Sequence, residues 1–255
     1  MLHGGGPGAT GMSNYSKNVV ALADQGFRVI VPDMPGYGQS TKGALDKNGP
    51  FAYLAKNMIA LFDAMGIDKA HVIGNSLGGG AALRMTLDHP ARVTSVILMG
   101  PGGVNLTREL PTKGLKTLLG YYKGAGPSKQ KLKDFIHNYL VYDASEVADD
   151  LLELRYQASI DPQVIDSPPL GMNVKGMFAS DFTRDDRLKN CETPCLVLWG
   201  TEDKVNRPSG AETLQKSMIN CDVHMFSKTG HWVQWERAEE FNVITAAFMK
   251  SKDAA

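Results

Sequence analysis

The sequence predicts a mostly parallel β-sheet with helices packed on both faces, and three features predict it. Short, nearly continuous apolar runs (27–31, 70–73, 93–99 and 195–199) read as strands buried on both sides. Stretches of helical periodicity alternate with them, the pattern of βαβ units whose crossover helices cover a sheet. Third, Gly74-Asn75-Ser76-Leu77-Gly78 joins one apolar run to a run of good helix formers, which places a serine at a strand-to-helix turn. A serine at so sharp a turn sits in a strained backbone conformation, and side chains at positions 74 or 78 would collide with the neighbouring strand and helix. The helix N-terminus behind Ser76 favours negative charge on a nearby substrate oxygen.

Length and charge bound the function. A chain of 255 residues suffices for one large α/β domain, and its 27 basic residues balance its 27 acidic ones. Zero net charge gives no electrostatic reason to expect nucleic acid or an anionic membrane as partner. No apolar run approaches the roughly 20 residues that span a bilayer, and no secretory signal pattern is visible. Cys191, Cys195 and Cys221 lack C-x-x-C spacing and a nearby histidine pair. They are expected to be free thiols in a reducing cytoplasm, neither disulfide nor zinc site.

In chain order, Met1-Leu2 running into His3-Gly4-Gly5-Gly6-Pro7-Gly8 resembles the last residues of a strand entering a glycine loop. No Gly-Lys-Ser/Thr follows, so this is not a phosphate loop. It fits an oxyanion loop, in which an amide approaches a substrate oxygen to about 3 Å with no side chain intervening; a loose terminus is the alternative. Residues 13–25 read as one amphipathic helix stopped by Gly26, and residues 27–31 as a buried strand. That strand enters a turn-rich loop in which Asp33 has an Asx-type stabilising role. Residues 52–65 form the next helix, stopped by Gly66, before the strand that leads to Ser76. After residues 93–99 the alternation lapses until Cys195. Helical segments at 129–140 and 145–159 occupy the gap, and an insertion of this size is expected to be a lid over the sheet's carboxyl edge. Its apolar residues Leu118, Leu119, Tyr121, Tyr122, Met172, Met177 and Phe178 either line a pocket or pack the insertion's own helices. The expected division is a core of residues 1–103 and 191–255 with a helical lid at 104–190. A strand at 195–199, a helix at 209–218, a strand at 222–226 and a helix at 238–249 complete the chain.

A serine hydroxyl needs a general base, itself oriented by a third group. The loop after the 195–199 strand offers Asp203, with Glu202 beside it as the alternative acid, and the loop after 222–226 offers His231. The order Ser76…Asp203…His231 is that of the α/β-hydrolase fold, each residue following a parallel strand at the edge where such sheets carry their sites. His71, His137 and His224 lie within predicted elements and lack that context. In these roles His231 takes a proton, Asp203 fixes its tautomer, Ser76 is the nucleophile, and the N–H groups of Gly5 and Leu77 form the oxyanion hole.

These residues resemble the meta-cleavage-product hydrolases, which cleave C–C bonds in aromatic and steroid catabolism. The resemblance rests on His3-Gly4-Gly5-Gly6-Pro7-Gly8-Ala9, Ser13-Asn14-Tyr15, Gly74-Asn75-Ser76, Met99-Gly100-Pro101-Gly102-Gly103 and Gly230-His231-Trp232-Val233-Gln234-Trp235-Glu236. It implies hydrolysis of a 2-hydroxy-6-oxo-2,4-dienoate to 2-hydroxypenta-2,4-dienoate and a carboxylic acid, with no metal or organic cofactor and with a homo-oligomeric state. A carboxylesterase or lactonase of the same fold is the alternative. The resemblance also implies a substrate-binding set of Gly6, Asn14, Asn75, Arg155 and Trp232. In it Arg155 takes the substrate carboxylate, the asparagines hold the dienol and keto oxygens, and Trp232 packs on the dienoate plane. Finally, it implies that roughly 30 residues are missing before His3, including a central strand beside the serine strand, which would leave backbone groups unpaired at about 1–3 kcal/mol each; an inactive truncated fragment is therefore a further alternative.

Overall fold

The computed structural model describes residues 1–43, 45–171 and 173–253, so Met172 lies outside the described residues. Four strands form one sheet in chain order: β1 (Ala70–Asn75), β2 (Val93–Met99), β3 (Cys195–Gly200) and β4 (Cys221–Phe226). Every neighbouring pair is parallel, with Ile73 opposite Ile97, Ile97 opposite Leu196, and Leu198 opposite His224. Successive residues of a strand point to opposite faces. Val72, Val96, Leu98 and Val197 accordingly enter one apolar cluster, and Ile73, Ile97, Leu196 and Leu198 another. The first cluster is completed by α3 (Pro50–Ala64), α4 (Leu77–Asp88) and α10 (Ser209–Ser217). The second is completed by α1 (Gly11–Tyr15), α2 (Val19–Asp24) and the closing helix α12 (Ala238–Asp253), which follows the short α11 (Val233–Glu236). The apolar runs at 93–99 and 195–199 are thus buried on both sides of a helix–sheet–helix sandwich.

Between β2 and β3 the chain forms α5 (Lys113–Gly120), α6 (Lys129–Phe135), α7 (Asp149–Ser159), α8 (Pro162–Asp166) and α9 (Val174–Ala179). A π-helical turn, Ile136–Leu140, continues α6. Thr112 and Ser128 start α5 and α6 by accepting the N–H groups of Leu115 and Lys131. These helices have their own apolar cluster. Leu132, Phe135, Ile136, Leu140 and Leu152 pack there against Trp232 and Trp235 from the loop after β4.

Three local expectations are corrected. Residues 13–25 are not one helix: the chain breaks after Tyr15 and restarts at Val19, because Asn18 turns inward to donate to the Gln234 carbonyl and the Asn242 side chain. The helical stretch expected at 145–159 starts at Asp149, after a 3₁₀ turn at Ala144–Glu146. Residues 27–31 run extended but join no ladder, and Arg28 is exposed. A strand exists only by pairing, and among the described residues no strand is paired with this segment; Met1 donates from its ammonium to the Ile30 carbonyl at 2.7 Å. Leu2 bridges to Gly74 on β1, through Leu2 N to the Ile73 carbonyl and Asn75 N to the Leu2 carbonyl. The cleft left between residues 27–31 and β1 holds about 180 Å³ and is walled by Phe27, Val29, Leu61, Val72 and Met249. Burial also drops the Met1 ammonium to a pKa of about 5.

Leu83 is fully buried between α4 and the sheet. Leu83→Ala is expected to destabilise the fold by about 2–5 kcal/mol, measured by urea unfolding. The exposed Val243→Ala on α12 should shift stability by no more than about 0.5 kcal/mol.

Candidate active site

Ser76 sits at the apex between β1 and α4 with φ 54° and ψ −113°, a left-handed conformation that a non-glycine residue adopts only under constraint. The constraint is visible on both sides. A Cβ on Gly74 would lie 2.3 Å from the Gly78 carbonyl oxygen, and one on Gly78 2.2 Å from that of Leu2. The turn is therefore closed by contacts that only glycine permits. Ser76 occupies the N-cap position of α4, yet its hydroxyl caps no helix N–H and stays available for chemistry. The N–H of Leu77 is one of the first-turn donors that have no partner within a helix.

The histidine and the acid are brought together by the parallel order of β3 and β4. Nδ1 of His231 lies 2.7 Å from Oδ2 of Asp203, and both side chains are buried. Asp203 is clamped from three further directions: the Trp199 indole N–H donates to Oδ2 at 2.8 Å, and the N–H groups of Val205 and Asn206 donate to Oδ1 at 2.8 and 2.9 Å. Glu202 points to solvent, where Thr201 donates to it. Asp203, not Glu202, is thus the histidine's partner. Nε2 of His231 is buried without a hydrogen-bond partner. It borders the same narrow cavity as Ser76, together with Gly4, Gly5, Gly6, Arg155 and Trp232. Asn75 holds the two loops in register by donating from Nδ2 to the carbonyls of Met99 and His231, both at 3.2 Å.

The glycine loop is fixed rather than loose. His3 is fully buried; its Nε2 accepts the Met34 N–H at 3.0 Å while Nδ1 lies 2.8 Å from the Gly4 carbonyl. Burial lowers its pKa to about 4, so the ring is neutral at physiological pH and braces the loop. Asp33 accepts from Gly11 N and Gln39 N, the loop-stabilising role expected of it. Asn14 accepts the Trp232 indole N–H at 3.0 Å and donates to the Thr10 carbonyl. The NH₂ groups of Asn14 and Asn75 are both spent on the protein itself, which makes these residues braces of the cavity wall.

Arg155 of α7 is 1 % exposed, not a solvated helix-face arginine. Nε and Nη2 donate to the Pro7 carbonyl at 3.1 and 3.0 Å, and the guanidinium lies 5.1 Å from the Trp232 ring. Among the described residues no carboxylate forms an ion pair with it, and burial lowers its pKa to about 10, leaving it cationic. A Cβ on Gly6 would lie 2.5 Å from Nη2, so the glycine is what lets the guanidinium reach the loop. The face of Trp232 expected to meet substrate is shared with this cation.

One residue of the site carried no expected role. Glu236 accepts the N–H of Gly230 at 2.9 Å and that of Tyr142, at the end of the π-turned segment, at 2.6 Å. With His231 N donating to the Leu140 carbonyl at 2.8 Å, it ties the histidine loop to the inserted helices. Its signal in the sequence is its place at the end of the Gly230–Glu236 motif, five residues after the histidine. Leu118, Leu119 and Met177 line a second cavity beside Ser76, whereas Tyr121 packs within the insertion and Phe178 is exposed.

This geometry meets its counterparts in known proteins. The model of the alpha/beta hydrolase fold family matches residues 1–238. A 2-hydroxy-6-oxo-6-phenylhexa-2,4-dienoate hydrolase of Burkholderia cepacia is 38% identical over 98% of this chain and 86% of its own length. The chain belongs to the meta-cleavage-product hydrolases of the α/β-hydrolase fold. A 2-hydroxy-6-oxononadienedioate/2-hydroxy-6-oxononatrienedioate hydrolase of Paraburkholderia xenovorans is also 38% identical, over 98% of this chain and 85% of its own. A meta-cleavage product hydrolase of Pseudomonas fluorescens, solved as a complex with acetates, superposes with a TM-score of 0.84 at 31% identity, covering 98% of this chain and 89% of that one. Among the described residues no helix is long and apolar enough to cross a membrane.

Burial, which outweighs the N–H donors around it, raises the Glu236 carboxyl from 4.5 to about 7. A folded pKa above the unfolded one means stability that is complete below about pH 4.5 and lost as pH rises through 7, by an amount on the order of 3 kcal/mol. Urea unfolding between pH 4.5 and 8 should show this slope, and Glu236→Gln should flatten it.

Proposed function

We propose that the protein hydrolyses the C–C bond of a 2-hydroxy-6-oxo-2,4-dienoate, releasing 2-hydroxypenta-2,4-dienoate and a carboxylic acid, with the inserted helices as a lid over the reaction. The observation that carries this reading is the buried, carboxylate-free guanidinium of Arg155 on the wall of the cavity that Ser76 and His231 share. A buried cation whose side-chain hydrogen bonds, among the described residues, go to the Pro7 carbonyl is costly, and a bound carboxylate relieves that cost through a two-pronged hydrogen bond. An ordinary ester offers no such group, which sets the esterase alternative aside.

The roles follow from position. With the dienoate carboxylate on Arg155, the diene lies along Trp232 and the C6 carbonyl reaches Ser76, its oxygen toward the N–H groups of Gly5 and Leu77. A proton first moves from the 2-hydroxyl to C5, with Nε2 of His231 as the relay, giving the 2,6-diketone. Ser76 Oγ then attacks C6 as His231 takes its proton, and the oxyanion is held by the two amides. When the C5–C6 bond breaks, its electron pair delocalises into the conjugated 2-keto acid, and protonation yields the hydroxydienoate. Water activated by His231 releases the acid from Ser76. Asp203 holds the ring in the productive tautomer, and its four contacts keep it from turning away. Asn14, Asn75 and Gly6 act by shaping the wall and admitting the guanidinium.

Coloured dienol substrate should bleach on addition of the protein, and Ser76→Ala or His231→Ala should slow turnover by about 10³-fold or more. Unchanged rates in both variants would end this account. Arg155→Met is expected to lower kcat/KM for the dienoate by at least about tenfold more than for a simple aryl acetate, because only the former brings a carboxylate to that position.

A further inference from the structure

The two kinds of relative above differ in what hangs from C6: a phenyl group in one, a tail ending in a second carboxylate in the other. At equal identity, similarity does not choose between them. The second cavity beside Ser76 does. It holds about 340 Å³, starts at Gly5, Ser76 and Leu77, and runs away from Arg155 under the inserted helices. Its walls are apolar, with Phe51, Leu106, Leu115, Leu119, Leu170 and Met177 prominent. Of its polar liners, Asn206 donates to the Gly100 carbonyl, and Asn173 is spent on Gly176 and Asn48.

One ionisable side chain lines this chamber, and it is acidic: Glu109. Its carboxylate is held by Asn105 Nδ2 at 3.1 Å, Ser209 Oγ at 3.2 Å and Arg207 Nε at 3.1 Å. Arg207 does not itself line the chamber, and its remaining contact is to the Leu110 carbonyl. A second substrate carboxylate would therefore lie among leucines beside an acidic side chain, while the guanidinium that balances that acid stands outside the chamber.

We propose, on the strength of the C–C hydrolase reading, that this enzyme takes dienoates whose C6 substituent is uncharged and apolar, of aryl size or larger, and that Glu109 is the residue that rejects a second carboxylate. Glu109 acts on the distal end of the substrate only, so it discriminates between substituents without touching the reacting atoms.

The test compares 6-phenyl and 6-(2-carboxyethyl) dienoates as substrates of the wild-type protein, Glu109→Gln and Glu109→Lys. Wild-type kcat/KM should favour the phenyl substrate by about 100-fold or more. Glu109→Gln should narrow that ratio by at least about fivefold, and Glu109→Lys further, through the KM of the dicarboxylate. Comparable kcat/KM values in the wild-type protein, or a ratio that neither variant moves, would overturn the proposal. The same two compounds are titrated against Ser76→Ala by their visible absorbance. If neither is turned over, the hydrolase reading fails while this binding ratio still decides specificity: tight phenyl and weak dicarboxylate binding supports the selective chamber, and equal binding overturns it.

Discussion

The 2.7 Å contact between Asp203 and His231 depends on almost everything else in the fold. The two residues are 28 positions apart and meet because β3 and β4 run parallel, so the loops that follow them open at the same rim. A buried carboxylate is tolerated there because four donors surround it, Trp199 from within β3 and Val205 and Asn206 from the turn beyond among them. The same rim carries Ser76 at the end of β1, and Asn75 bonds directly to the His231 carbonyl. Ser76, Asp203 and His231 are thus brought to one rim by main-chain geometry, with the Asp203–His231 contact made there.

A second constraint comes from across the cavity. Arg155 reaches back 148 residues to the Pro7 carbonyl and lies over Trp232, so a single side chain joins the inserted helices, the glycine loop and the histidine loop. Glu236 makes a parallel connection on the other side of His231, to the main chain of Tyr142. The inserted helices are therefore tied to the loops around the cavity at two points, one through a cation and one through a carboxylate, each bonded to main chain. Two cavities meet at Ser76, one lined by Arg155, Asn14, Asn75 and His231 and the other mostly apolar.

Much of this is legible in the residues. Nearly continuous apolar runs at 93–99 and 195–199 announce strands buried on both faces, and they form. Glycine on either side of Ser76 announces a turn too tight for side chains, and the close approaches to Gly78 and Leu2 bear that out. Residues 27–31 carry a similar apolar signal yet make no ladder, because pairing is a property of two segments and among the described residues no strand lies in register with them. The break at residues 16–18 is equally invisible locally, since Asn18 turns inward toward Gln234 and Asn242, more than 200 residues away.

The sequence by itself determined the sheet's parallel character, the position of the serine elbow, and the chain order of hydroxyl, carboxylate and imidazole. These follow from period, propensity and glycine placement, all short-range properties. Only the tertiary structure decided that Asp203 rather than Glu202 meets the histidine, that Arg155 is buried, that the asparagine amides are spent on main chain, and that Glu109 is the charge in the apolar chamber. Each of those turns on desolvation and on partners brought together by the fold, which no local stretch of sequence encodes.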